Sequence, residues 1–181
     1  AFETMQPWRK KKGLRRSPKF QTVLDPIERE ALGDIIAAVV EAIIARAQSA
    51  PKDELAEMMD MPSGHKEAPD DPALARLFPD FQREGDEEYD GDRSLLRSLH
   101  ENDIARAKLQ NLQLVSEKVN DGVEISVDES EVQAFVAGLN DARLYLANTD
   151  KKVSELISDR DALVEWLAYN QDSLLTAMME D

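Results

Sequence analysis

The sequence predicts a mainly α fold: a single-domain helical bundle of about five longer helices with a small antiparallel β-sheet built from an N-terminal hairpin and one later strand. Three observations point to it. Residues 25–47 form a long apolar stretch at helical spacing that opens on a capping signal. Further apolar stripes with the same period recur at 94–120, 128–148 and 158–178. Alternation of the kind that makes strands is confined to the first 24 residues and to 123–127.

A chain of 181 residues fits one domain, 1–181, and folding at that size hides roughly 70% of the unfolded surface, so a core forms without staples. There is no cysteine, which excludes disulfides, thiolate metal sites, cysteine nucleophiles and thiol-based sensing by this chain. The first twelve residues turn basic without an apolar run, and the longest apolar stretch, 35–45, is interrupted by Glu41. Neither a signal peptide nor a membrane span is therefore expected, and the expected location is cytoplasmic. The net charge of −15 conceals two regions of opposite sign. Residues 1–24 carry seven Lys/Arg against Glu3, whereas 25–181, with 15 basic and 36 acidic residues, sums to −21. Such a body repels phosphate backbones, and the short arm attracts them.

In the arm, Trp8, Leu14, Phe20, Val23 and Leu24 are separated by charges, with turn signals at Gly13 and Ser17-Pro18. One reading is a nucleic-acid arm in which Arg9, Lys10, Lys11, Lys12, Arg15 and Arg16 contact phosphates beside an exposed Trp8. The other, which the large apolar residues favour, is a basic hairpin packed on the acidic body with its aromatics buried.

Asp25, Pro26 and Glu28 are the cap, first-turn proline and returning carboxylate of a helix start. Leu32, Ile35, Ile36, Val39, Val40, Ile43 and Ile44 then cover about half the circumference, with Glu30, Asp34 and Glu41 on a narrow strip behind. Ala37, Ala38, Ala42 and Ala45 leave room for a neighbour. The expectation is a central helix, with Val40→Asp unfolding the domain.

Ser49-Ala50-Pro51 ends that helix, and a short one follows that shows Leu55, Met58 and Met59, the methionines expected to fill a core gap. Asp71-Pro72 opens a brief helix with Leu74, Leu77 and Phe78 on one side. From 80 to 92 seven acids stand against Arg83; the run lacks calcium-loop spacing and reads as a solvated loop. Residues 94–120 are helical, with a bend expected near His100-Glu101-Asn102. Val123, Ile125 and Val127 share one face of a strand. Asp128 with Glu131 opens a helix to 148, whose stripe of Val132, Phe135, Val136, Leu139 and Leu146 includes Arg143. An arginine there needs a partner, so a buried ion pair to an acid on another element is expected. The last helix starts near Ser158 with Asp161 completing its cap. It carries Leu163, Trp166, Leu167, Leu174 and Met178, with Asn170 as a core amide.

Enzyme signatures are lacking. No two glycines stand two apart, so there is no dinucleotide fingerprint; nor is there a phosphate loop or a GxSxG elbow. His65 and His100 are the only histidines, and neither belongs to a zinc-helix motif. A metal-dependent hydrolase using both with loop carboxylates is the least favoured function class. No catalytic residue, metal ligand or cofactor is assigned, and an enzyme is not expected.

Several phrases occur in order: Trp8-Arg9, Leu24-Asp25-Pro26, Pro51-Lys52-Asp53-Glu54-Leu55, Gly64-His65, Asp71-Pro72 with Arg76-Leu77 and Pro79-Asp80-Phe81, Leu96-Arg97-Ser98-Leu99-His100-Glu101, Asn140-Asp141 with Arg143-Leu144, and Trp166-Leu167. Together they resemble the AosR-like family of actinobacterial aerobic and oxidative stress response regulators, formerly a domain-of-unknown-function family. The resemblance implies a cytoplasmic, non-enzymatic regulator of transcription acting through a protein partner such as a sigma factor. Redox sensing in that family is attributed to cysteines, which this chain lacks. No helix-turn-helix with a basic second helix is found. The partner site is expected at the motif-bearing residues His65, Arg76, Asp80, Phe81, Arg97, His100 and Glu101, with direct nucleic-acid binding through the basic arm as the alternative.

Overall fold

The computed structural model describes residues 6–52, 54–60, 64–65, 67–79, 90–149 and 160–180. The alternating arm forms the expected hairpin, β1 (Arg9–Lys11) and β2 (Lys19–Val23), and β3 (Glu124–Asp128) pairs with β2 to give an antiparallel sheet in the order β1-β2-β3. Register follows the hydrophobic pattern, because a slip of one residue exchanges the two faces. Phe20 lies opposite Val127 and Thr22 opposite Ile125, and all four side chains are buried. Val123, expected on that face, precedes the strand and is exposed.

The helix α1 (Pro26–Gln48) starts where its sequence says. Glu28 N–H donates to Asp25 Oδ1 (2.8 Å) and Asp25 N–H to Glu28 Oε1 (3.1 Å), a reciprocal capping box. Leu32, Ile35, Ile36, Val39 and Ile43 are buried. Val40 and Ile44, counted with them from the sequence, are not: Val40 is half-buried and Ile44 is 40% exposed. No element among the described residues covers that flank, so the apolar arc is wider than the contact they make with it.

The short helices are α2 (Glu54–Met58) and α3 (Pro72–Leu77). Met58 and Met59 are exposed, which corrects the core-filling role expected of them. Asp71 Oδ1 accepts from Ala73 N–H (2.9 Å), and Leu74, Leu77 and Phe78 pack inward. Then α4 (Asp90–Asn120) runs as one uninterrupted helix through the expected bend, starting earlier than the sequence suggests. Most of the acidic run, with Asp80 and Phe81, lies outside the described residues. The last two helices are α5 (Val132–Asn148) and α6 (Arg160–Met178); Ser158 lies outside the described residues.

The hub is α5 rather than α1, since it packs against α6, α4, α3, α1 and β3. Its Phe135, Leu139, Ala142 and Leu146 are buried in the core shared by the helices and the sheet's inner face, where each large side chain contributes about 1.5–3 kcal/mol. At Gly138 a Cβ would stand 2.7 Å from Val115 Cγ2 and 3.1 Å from Asn111 O of α4, so glycine sets how closely the two helices approach. Among the described residues no helix is long and apolar enough to cross a membrane.

Candidate functional site

Three polar junctions gather most of the quoted sequence phrases, and two exposed features remain outside them. The first junction forms where the end of α1 meets α4. Arg46, in the last turn of α1, donates from Nε to Glu101 Oε1 (2.7 Å) and from Nη2 to Oε2 (3.3 Å). Arg97, one turn before Glu101, donates from Nη1 to Oε2 (3.2 Å). The side chains are 12%, 2% and 5% exposed for Arg46, Arg97 and Glu101, so the forked pairing takes place out of water.

The chain after α2 closes over this pair. Arg46 Nη2 also donates to Glu67 O (2.6 Å). A helix end leaves carbonyls without intrahelical partners, and Arg46 O receives Ser49 Oγ–H (2.9 Å) and His65 Nε2 (2.7 Å). A carbonyl only accepts, so Nε2 of His65 is the donor in this contact. Gly64 lies against α4 so closely that a Cβ would stand 2.4 Å from Ser98 O. Gly64→Ala is expected to cost about 1–3 kcal/mol by overpacking. Gly33→Ala, where an added Cβ meets nothing within 4 Å, is expected to be neutral or to gain up to about 1 kcal/mol. Urea midpoints of the two variants check the contrast.

The second junction ties the arm to α6. Trp8 N–H donates to Ser173 Oγ (2.8 Å), and Trp8 Nε1 donates to Asn170 Oδ1 (3.2 Å). Asn170 Nδ2 donates to Trp166 O (3.1 Å), and the Trp8 ring meets Phe135 edge-on at 5.4 Å. Trp166 Nε1 donates to Glu28 Oε2 (2.7 Å), so the carboxylate that caps α1 also anchors α6. Asn170 is thus the satisfied core amide expected.

The third joins α4 to α5, where Lys108 Nζ lies 2.8 Å from the buried Asp141 Oδ1. Burial pushes the Asp141 carboxyl above its ordinary value despite Lys108. The folded state therefore holds that proton more tightly than the unfolded chain, and its stability rises as pH falls through the raised value. The wild type is expected to gain on Asp141→Asn as acid approaches the ordinary aspartate value of about 3.9, read from denaturation midpoints against pH. Glu131 runs the other way. Burial raises its carboxyl, but the Asp128 N–H (3.1 Å) and Lys118 Nζ (3.1 Å) outweigh that and lower it, so its contribution is lost as pH falls through the lowered value.

The expected partner residues thus divide. His65, Arg97 and Glu101 converge, yet Arg97 and Glu101 are interior and touch nothing outside the fold without rearrangement. His100 and Arg76 are exposed. The ion pair expected at Arg143 is corrected: Arg143 is half-buried and donates to Asn140 Oδ1 (3.2 Å), an amide of its own helix, and no carboxylate among the described residues pairs with it. The buried arginines of the described residues are instead tied to Glu101. Arg46 is the member that sequence reading missed, and its signal is a lone basic residue in the last turn of an apolar helix. No group of three or more His, Asp or Glu among the described residues is arranged to hold a metal.

The first exposed feature is the hairpin. Arg9, Lys11, Lys12, Arg15 and Arg16 are exposed, and none is in an ion pair among the described residues; Leu14 projects fully at the turn. Lys10 Nζ donates to Glu180 O (2.6 Å). The second is an open groove of about 650 Å³ between α1 and α4, with Ile36, Val40, Ile44 and Leu109 along it.

A family model described as Domain of unknown function (DUF2017) matches residues 5–178. The proteins called Oxidative stress regulator AosR of Mycobacterium tuberculosis and Mycobacterium bovis are each 37% identical over 142 residues, a match covering 73% of this chain and 65% of theirs. The Putative oxidative stress regulator AosR of Mycobacterium leprae is 30% identical over 182 residues, covering 90% of this chain and 83% of its own. The chain thus spans just under two thirds of the first two relatives. No solved structure matches. The family match takes in all three junctions and both ends of the helical body, and on that extent the chain belongs to the DUF2017 family, with proteins called oxidative stress regulators among its relatives.

Proposed function

We propose that this protein is a non-enzymatic regulator in the transcriptional response to oxidative stress and acts by binding a protein partner, such as a sigma factor. The observation that carries the reading is the likeness, over most of the chain, to relatives called oxidative stress regulators. The internal chemistry supports it, because the strongest polar contacts spend themselves on joining helices. With no cysteine in the chain, sensing of the oxidant by a thiol of this chain is excluded. The test compares transcripts of cells with and without the gene, before and after peroxide, alongside capture on the tagged protein with quantification of sigma factors and RNA polymerase. A peroxide response that depends on the gene, with one of these proteins retained, is expected. An unchanged response would overturn the reading.

The exposed cations of the hairpin favour one second reading, contact with nucleic-acid phosphates. Deleting the arm is a poor test, since it removes β2, Trp8 and Phe20 from the fold. Changing Lys11, Lys12, Arg15 and Arg16 to Ala leaves those groups in place. If the reading holds, anisotropy of a labelled duplex shows binding that falls steeply with salt and is lost in this variant.

A further inference from the structure

Along α1, Gly33, Ala37, Val40 and Ile44 are spaced i, i+4, i+7 and i+11, which puts them on one line about 17 Å long. Ala37, Val40 and Ile44 of this line form one wall of the groove, with Leu109, Gln113 and Ser116 of α4 opposite. Ala37 and Ile44 are exposed, Val40 is half-buried, and the space beside Gly33 is open. Three turns of helix thus present an apolar line that no part of the described fold covers, with small residues that admit a close neighbour.

From Gly33 on, the charge beside it on α1 is acidic, with Arg29 one turn before the line. Glu30, Asp34 and Glu41 are exposed on the strip next to the apolar line, and Glu41 itself lines the groove. On α4, Arg106 and Glu117 are exposed along the outer edge and offset one another. A second copy of this chain would set those acids against their equivalents, on bodies that each carry −21 over residues 25–181. A basic partner meets them favourably.

We propose that the α1–α4 groove docks one amphipathic helix of a partner protein. That helix offers apolar side chains at i, i+4 and i+7 and Lys or Arg on the flank that meets Glu30, Asp34 and Glu41. Its apolar side chains replace water over Val40, Ile44 and Leu109, and its cations give orientation and speed of encounter. The proposal rests on the protein-partner reading above and assigns it a surface.

The probe is a synthetic peptide of about 14 residues, four helical turns, with Leu at those spacings and Lys elsewhere, compared with the same peptide carrying Glu in place of Lys. Each is titrated into the full chain with labelled methyl groups. The Lys peptide is expected to shift the methyls of Ile36, Val40, Ile44 and Leu109. The double variant Ala37→Lys with Ile44→Lys, both exposed positions, is expected to weaken binding at least about tenfold with an unchanged melt. Leu175→Lys, on the exposed side of α6, should leave binding unaltered. Absence of shifts at those methyls, equal binding of the Glu peptide, or a dimer in sedimentation that Ile44→Lys dissociates would each overturn the proposal. In cells, a peroxide response that needs the gene but survives the double variant removes the groove and keeps the regulatory reading. A response indifferent to the gene removes that reading, and the peptide result then stands or falls by itself.

Discussion

Glu101→Ala is expected to destabilise the fold by about 3–5 kcal/mol, the cost of breaking a buried ion pair by removing one partner. Its carboxylate receives Arg46 and Arg97 together, all three side chains are nearly out of water, and Arg46 also holds Glu67 O. Removing the acid leaves two guanidinium groups on adjoining helices facing each other. Of a typical domain stability of about 5–15 kcal/mol, this is a large share, and it falls where α1, α4 and the segment around His65 meet. Urea titration followed by circular dichroism reads the loss. A change below about 1 kcal/mol would show that water enters and screens the pair as at a surface. Replacing all three by apolar residues of similar volume is expected to cost far less than the single change, because no charge is then stranded.

Val39→Asp should leave the chain unfolded, whereas Val40→Asp, the change singled out from sequence, should leave it folded and less stable. Val39 is 0% exposed. An aspartate there forfeits about 1.5–3 kcal/mol of apolar burial and adds several more for a desolvated charge. Val40, one residue on, borders the open groove, where a carboxylate keeps water. Thermal melts of the pair decide the matter: equal loss in both would mean that the groove is closed in solution. Val40→Asp also places a charge where a partner's apolar side chain is proposed to sit.

The three elements that were easiest to read show why some of the fold is legible from sequence. Asp25, Pro26 and Glu28 specify the start of α1 through contacts three residues apart, and the capping box is present. Phe20 and Thr22 face inward opposite Val127 and Ile125 because alternation allows one buried face only. Asn170, an amide on an apolar stripe, is paired at both its ends. Each inference needed only local geometry and the rule that buried polar groups are satisfied.

The candidate site was less legible. The phrases around Gly64, His65, Arg97 and Glu101 marked residues that do converge, but their convergence is internal. His65 spends its Nε2 on the end of α1, and Glu101 spends its carboxylate on two arginines. Arg143 was the conspicuous cation of the sequence, yet Arg46 carries the buried pair, because a stripe on a helical wheel does not say where the stripe ends against its neighbours.

By itself, then, the sequence determined the starts of α1 and α3, the hairpin, the sheet's buried face, the absence of thiol chemistry and the opposition between a basic arm and an acidic body. Those depend on composition, or on residues a few positions apart whose spacing sets direction. Only the tertiary structure decided that α5 is the hub, that Glu28 answers Trp166 across 138 positions and Arg46 answers Glu101 across 55, and that the described residues leave one flank of α1 bare. The physical reason is that periodicity says which way a side chain points from its own helix, and packing alone says what stands there to meet it.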